Sequence, residues 1–357
     1  MPDKEDPRKG RFEQRRTAEP PTALEDTGYE GIVLERLAKH ACRIAGADRA
    51  AIFVRDRRDP RSVIAAAGHG VSWDFAGSRL AADHGFVGDV LAYGASVATN
   101  DPEEISPTLG CEGDFCAGAA APIRSGAIVV GAICAVTENP EQPFHDVDLE
   151  LLEELGHVAA AAIEREERRE HFDRAVRAHV EALAVAMNLR DRRTARHSED
   201  VVSLARAVGE LLELEAAALL ELEFAARLHD VGKIRVPDAV LNKAGPLDAD
   251  ESKLIRSHSA WGAETLEQIP GLEVVSTLVR FHHERWDGHG YPDGLAGPRI
   301  PLASRIIAVC DSYGAMTCDR PYREAMEPGQ ALEELQRGSG RQFDPDVVAA
   351  LIKVLDL

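Results

Sequence analysis

The stretch that decides how this chain reads is His282-His283-Glu284-Arg285-Trp286-Asp287-Gly288-His289-Gly290-Tyr291-Pro292. Two adjacent histidines run straight into a Gly- and Pro-containing turn that also carries Trp, Asp and Tyr. Packing alone gives little reason to bury such a run. Imidazole is the commonest protein metal ligand near neutral pH, and Gly lets backbone approach a ligand closely. Upstream lie His197, the pair His229-Asp230 and His258, and downstream lies Asp311. The expectation is that these residues converge on one metal site that the rest of the chain serves.

Around that stretch the pattern is helical. From residue 198 onward there is almost no strand signal. Segments 201–212, 216–228, 250–268, 273–282, 301–316, 328–338 and 344–356 repeat apolar residues at helical spacing. Pro or Gly marks most joints, at Pro237, Gly245-Pro246, Pro270-Gly271, 290–297 and 338–340. The second half is therefore expected to be an all-α domain, residues 180–357. Residues 148–189 are also helix-compatible. Leu152, Leu155, Ala159 and Ala162 form one stripe, a charged piece follows at 164–170, and Phe172, Val176, Val180, Leu183 and Met187 restore it. A long amphipathic helix between domains reads as a connector that pairs in a homodimer. The alternative is a helix that packs only on its own domains, and the interrupted heptads do not choose between them.

The first half reads differently. A helical stripe at Ile32, Leu34, Leu37, Ala38 and Ala41 precedes short apolar runs at 50–54 and 62–67, a hairpin pattern. A short helix at 85–93 and strands at 96–99, 119–123 and 128–136 follow. Strands framed by helices give an α+β domain with an antiparallel sheet, residues 28–165. Residues 1–27 are polar, with a mixed basic run, and read as a disordered tail.

Composition sets the outer limits. At 357 residues the chain exceeds what one core usually reaches, so two domains are expected. A net charge of −20 argues against binding long nucleic acids, which needs a basic face, but not against a small anion held by a few local cations. No apolar run reaches the roughly 18 residues of a membrane span, and no apolar signal core opens the chain, so a cytoplasmic protein is expected. The six cysteines form no Cys-x-x-Cys pair, against structural zinc or a disulfide framework. Cys111 and Cys116, in a polar loop beside Asp114, read as ordinary thiols, with a redox or metal sensor as the alternative.

Two resemblances follow. Gly85-Phe86-Val87-Gly88 with Leu91 and Gly94, then Pro122-Ile123, Gly131-Ala132-Ile133 and residues 144–162, resemble a GAF domain. GAF domains sense small molecules or mediate dimers, which implies an unknown small-molecule ligand but no particular ligand residues. In the second half, Leu228-His229-Asp230-Val231-Gly232-Lys233 resembles the signature of the HD phosphohydrolases. Arg190-Asp191, Thr194, His197-Ser198, His258, the 282–295 stretch, Asp311, Thr317 and 319–323 extend the resemblance to the HD-GYP branch, over about Val180 to Leu351.

That resemblance implies a phosphodiesterase that hydrolyses cyclic di-GMP to pGpG, and onward to GMP in some members, through a metal-bridging hydroxide. Carried over position by position, it implies metal ligation by His197, His229, Asp230, His258, His282, His283 and Asp311, with Asp230 bridging. Lys233 would contact the scissile phosphate, Arg320 and Arg323 would hold phosphate or guanine, and Tyr291 would face the substrate. The chemistry agrees. All seven candidate ligands are nitrogen or oxygen donors, which suits iron or manganese before zinc or nickel. Two such ions clamp the attacking and leaving oxygens of an in-line displacement. Arg forks match phosphate.

The bland readings are a surface histidine at His258, an orienting partner at His283, a solvated turn at His289, a helix-end charge at Arg320 and a turn cap at Asp287. The sequence also departs from the family. Arg193 stands where some members place a Glu ligand for a third ion, so two divalent ions are expected. Gly314 stands where the family usually has a second Asp. The competing functions are a phosphohydrolase of another cyclic dinucleotide or nucleotide, and a weakly catalytic cyclic di-GMP receptor.

Overall fold

A computed structural model of the chain describes residues 29–71, 76–83, 85–102, 105, 115–190, 194–243, 245–318 and 324–356, with the side chains of 29, 30, 188, 190 and 194–198 outside that description. The expected tail, Cys111, Asp114, Arg193, Arg320, Arg323 and the His197 side chain therefore lie outside the described residues. Packing divides the chain between His171 and Phe172.

The first unit is a six-stranded sheet with helices on both faces. Its elements are α1 (Tyr29–Ile44), β1 (Arg49–Arg55), β2 (Ser62–His69), β3 (Arg79–Ala81), α2 (Gly85–Tyr93), β4 (Val97–Thr99), β5 (Ala117–Ser125) and β6 (Ile128–Thr137). The order is β3-β2-β1-β6-β5-β4, and every neighbouring pair is antiparallel. Ala119, Ala121, Ile123, Ile133 and Ala135 turn to the face covered by α1 and the following long helix, where Leu34, Ala38, Leu152 and Ala159 meet them. Ala120, Ala132, Cys134 and Val136 turn to the other face, under Phe86, Val90 and Leu91 of α2. Burial on both faces is why β5 and β6 read as apolar runs rather than alternations. The short edge strand β3 carries no sequence signal of its own and was not expected.

The long helix α3 (Asp146–Arg190) is one continuous element of 45 residues. Its first half packs Leu152, Ala159 and Ile163 into the sheet unit, and its second half packs Val176, Val180, Ala184 and Met187 into the helical core. Val158, Phe172, Val185 and Leu189 stay exposed along it.

The second unit is helical. It comprises α4 (Thr194–Leu211), α5 (Ala216–Leu228), a 3-10 turn (Val231–Arg235), α6 (Asp238–Leu241), α7 (Ala249–Arg256), α8 (His258–Leu266), α9 (Glu273–Phe281), a second 3-10 turn (Gly297–Arg299), α10 (Leu302–Thr317), α11 (Pro328–Gly338) and α12 (Pro345–Leu355). One expectation is corrected here: segment 250–268 is two helices, α7 and α8, broken at Ser257. The Asp248 side chain accepts the Glu251 N–H and the Glu251 side chain accepts the Asp248 N–H, a capping box that starts α7. Leu222, Ala225, Leu228, Val279, Ile306 and Val309 lie at the centre of this unit. Among the described residues no helix is long and apolar enough to cross a membrane.

Candidate metal centre

Three of the expected ligands share one local device. His229 follows the last residue of α5, His282 follows the last residue of α9, and His258 stands two residues past α7. The last four carbonyls of a helix have no partner within it. In each case the imidazole Nδ1–H donates to the carbonyl three residues back: His229 to Ala226 at 2.8 Å, His258 to Ile255 at 2.7 Å and His282 to Val279 at 2.6 Å. The bond satisfies the helix end, fixes the tautomer and turns each Nε2 lone pair inward.

The inward nitrogens meet. His258 Nε2 and His282 Nε2 lie 3.4 Å apart, closer than two lone pairs favour unless a cation or proton lies between them. The Asp230 carboxylate approaches two of the rings, with Oδ1 3.4 Å from His258 Nε2 and Oδ2 3.5 Å from His229 Nε2. Asp311, on α10, brings Oδ1 to 3.7 Å from His229 Nε2. The His283 ring packs 4.0 Å from that of His282 and 5.0 Å from that of His258. One ligand atom from each of His258, His282 and His283 lies within 4.8 Å of the others.

Burial controls the charges. His229, His258 and His282 are each at most 1% exposed. Loss of water lowers the pKa of His258, lowers that of His282 far below the ordinary imidazole value with help from His283, and brings His283 to about 3. These imidazoles are therefore neutral at neutral pH, the form that ligates. Burial pushes the Asp230 carboxyl up, but the Lys233 ammonium beside it outweighs this and holds the group well below the ordinary range. Lys233 donates from Nζ to Asp230 Oδ2 at 2.5 Å. Nitrogen donors around an ionised carboxylate are a donor set that could hold a cation.

The turn after His283 forms the rim. The Tyr291 ring packs 4.9 Å from that of His283, and burial raises its phenol, which stays protonated as a hydrogen-bond donor. Asp287 is bound to its own turn, accepting Arg285 Nη2 at 2.7 Å and the His289 N–H at 3.1 Å, and the His289 side chain is 83% exposed. Glu284, outside the expected set, clasps the turn: its Oε1 accepts the N–H groups of Asp293 at 2.7 Å and Gly294 at 2.9 Å. Its other oxygen, Oε2, is buried without a partner. Nothing in the sequence set Glu284 apart, because its partners are backbone N–H groups. The far side of the turn is anchored by Trp286 N–H to Gln342 O at 3.1 Å and Asp287 N–H to Arg341 O at 2.7 Å.

Thus the structure brings together His229, Asp230, His258, His282, His283 and Asp311, with Lys233 and Tyr291 beside them. His197 lies on α4, with its side chain outside the described residues.

Comparison with known proteins matches the two halves separately. The GAF domain family matches residues 30–164 and the HD domain family residues 180–347. A cyclic di-GMP phosphodiesterase of Thermotoga maritima is 37% identical over 177 residues, 49% of this chain and 48% of that protein. The cyclic di-GMP phosphodiesterase response regulator RpfG of Xanthomonas campestris is 43% identical over 173 residues, 48% of this chain and 46% of that protein. The 3'3'-cGAMP-specific phosphodiesterase 2 of Vibrio cholerae is 35% identical over 176 residues, 49% of this chain and 34% of that protein. The chain spans about half or less of the length of these curated relatives.

Proposed function

We propose that this chain, which carries a GAF domain followed by an HD domain, is a metal-dependent phosphodiesterase of the HD-GYP type that hydrolyses cyclic di-GMP to pGpG. The observation that carries the reading is the set of buried imidazoles whose Nε2 atoms converge on one ionised carboxylate.

The donor set fits divalent ions. Only nitrogen and oxygen atoms face the cluster among the described residues. Cys310, next to Asp311, is fully buried and its thiol is pushed up, so it offers no thiolate. Iron or manganese fits such donors before zinc or nickel. His229, Asp230, His258, His282, His283 and Asp311 would hold the ions, with His197 completing the set and Asp230 as the carboxylate shared between them. Bound there, two ions would supply an ionised water at neutral pH and charge stabilisation at the phosphate.

The remaining work falls to the chain. The Nδ1 bonds keep the rings aimed without reorganisation, which preserves electrostatic stabilisation in a site shielded from water. Lys233 carries the nearest ammonium and turns from Asp230 toward the scissile phosphate when substrate enters. Tyr291 donates its phenol proton in a hydrogen bond to the substrate. Arg320 and Arg323 are assigned to phosphate or guanine contacts.

For regulation, a small molecule in the GAF domain would shift α3 between two states, which requires different affinity for each. Pairing of α3 in a homodimer would cover Phe172, Val185 and Leu189. The relative named for 3'3'-cGAMP gives the second reading, a mixed guanine–adenine substrate.

The test is metal content of anaerobically purified full chain, read together with turnover of cyclic di-GMP and 3'3'-cGAMP and identification of the products. The expected outcome is about two iron or manganese ions per chain and pGpG from cyclic di-GMP. His282→Ala should lose metal and lower turnover by roughly a thousandfold, several kcal/mol of barrier. Faster turnover of 3'3'-cGAMP would shift the substrate to the second reading, and loaded metal with no turnover of either would overturn both.

A further inference from the structure

This inference rests on the cyclic dinucleotide reading above and concerns a residue outside the expected site. A cyclic dinucleotide carries two phosphodiesters, each with one negative charge. Only one can lie at the metal cluster during a cleavage, and the other must be held elsewhere in a protein whose net charge is −20. Lys233, beside Asp230, is assigned to the phosphate being cleaved. Arg320 and Arg323, assigned above to phosphate or guanine, lie outside the described residues; of the described arginines on neighbouring elements, Arg235 is matched to Glu264 at 2.6 Å, Arg280 to Asp293 at 2.7 Å and Arg285 to Asp287 at 2.7 Å.

Arg256 is different. It is exposed and makes no ion pair among the described residues, although the chain has 61 acidic residues against 41 basic ones. Its guanidinium carbon stands 5.5 Å from the centre of the Tyr291 ring, and that ring packs 4.9 Å from His283. The cation is therefore placed one aromatic ring away from the cluster, on its rim. Its backbone is placed just as firmly. Arg256 ends α7, and the carbonyl of Ile255 just before it takes the His258 Nδ1 bond. A charge that served only the α7 dipole could point anywhere around the helix end, and Lys253 already serves that end.

We propose that Arg256 holds the phosphate that is not being cleaved. An Arg fork binds a phosphodiester through two parallel charge-assisted hydrogen bonds. Resting on Tyr291 limits the guanidinium's freedom before substrate arrives, so less ordering remains to be done on binding. Tyr291 thereby has two roles, facing the substrate and seating the arginine.

The experiment uses the metal-loaded full chain and two substrates, cyclic di-GMP and bis(p-nitrophenyl) phosphate, which has a single phosphodiester. Arg256→Ala is expected to raise KM for cyclic di-GMP about tenfold or more, the loss of one charged hydrogen-bonding group, with kcat changed less than about threefold. The KM change on the single phosphodiester should be several-fold smaller. Arg256→Lys, which keeps the charge and loses the fork, should fall between the wild type and Arg256→Ala. Unchanged KM for cyclic di-GMP in a wild-type-active enzyme, or an equal loss on both substrates, or loss of metal from Arg256→Ala, overturns the role of Arg256 and leaves the phosphodiesterase reading standing. A wild-type enzyme that neither binds nor cleaves cyclic dinucleotides overturns both.

Discussion

The two units of this chain bury different kinds of group. Among the described residues, the sheet unit's interior is largely alanine, valine, isoleucine, leucine and phenylalanine with cysteine, and its buried carboxylate, Asp56, has a local explanation. Asp56 Oδ1 accepts the Arg58 N–H at 2.8 Å, and Oδ2 lies 2.9 Å from Arg79 Nη2. The helical unit buries His229, Asp230, His258, His282 and Glu284. The outer Nδ1 atoms of the three imidazoles are satisfied by helix ends and Glu284 Oε1 by turn N–H groups, but the inner atoms of the imidazoles and Asp230 face one another. Burying polar groups costs free energy unless each finds a partner, so a core selected for stability alone would replace them with apolar residues. The contrast separates polar burial that completes a turn from polar burial in which donor atoms face one another, the arrangement the proposed metal site uses.

A pair of glycines tests whether the two cores are separate in effect. At Gly232, just after Asp230, an added Cβ would lie 1.9 Å from the His258 carbonyl oxygen and 2.5 Å from the Gly262 nitrogen. At Gly131, in β6, it would lie 2.2 Å from the Phe53 carbonyl oxygen. Backbone stands on the receiving side in both cases, so neither site can yield by moving a side chain. Each alanine should cost about 3 kcal/mol or more of stability in its own unit. Gly232→Ala should also displace His258 and weaken metal binding roughly 10–100-fold, whereas Gly131→Ala should leave metal content near the wild-type level. Hydrogen exchange resolved by unit, with metal content on the same samples, measures this. If Gly131→Ala strips the metal as Gly232→Ala does, the contrast between the cores is broken.

The same glycine shows where the sequence was informative and where it was not. Helices α5 and α11 could be bounded from their apolar spacing, and α11 also from Pro328 at its start and Gly338 at its end. The break between α7 and α8 could not be seen, since neither Gly nor Pro marks it. It is set by His258 turning back to the Ile255 carbonyl and by the approach of Gly232 to the His258 backbone. The candidate ligands were legible because imidazole and carboxylate are rare chemical types at fixed spacing. The Nδ1 bonds and the Glu284 clasp were not, because their partners are backbone carbonyls and N–H groups, which every residue has. Arg256 was passed over for a related reason: in sequence it is one basic residue among many near a helix end, and it stands apart only once its neighbours are seen to be paired.

The clasp predicts a smaller effect within the helical unit. Glu284→Ala leaves two N–H groups of the turn without an acceptor and should cost roughly 2 kcal/mol. Glu284→Gln keeps an acceptor oxygen and should cost less than about 1 kcal/mol. Urea unfolding measures both, and KM for cyclic di-GMP should follow the same order, because the clasp positions the turn that carries Tyr291. Equal losses in the two variants would mean that the negative charge, and not the acceptor geometry, matters at this position. That outcome would move Glu284 from the turn into the electrostatics of the cluster.

The smallest effect is expected at His289, which belongs to the same stretch as His282 and His283 yet points outward. Its side chain is 83% exposed, and its nearest charged neighbour is Asp287, 3.5 Å from Nδ1, which already has Arg285. An exposed charge pair of this kind contributes little. His289→Ala should change stability by no more than about 0.5 kcal/mol and kcat/KM for cyclic di-GMP by less than about twofold. Three histidines of one short stretch would then divide cleanly by burial. A tenfold loss on His289→Ala would show that substrate reaches over the outer face of the turn, and burial would no longer separate the functional side chains of this stretch from the solvated one.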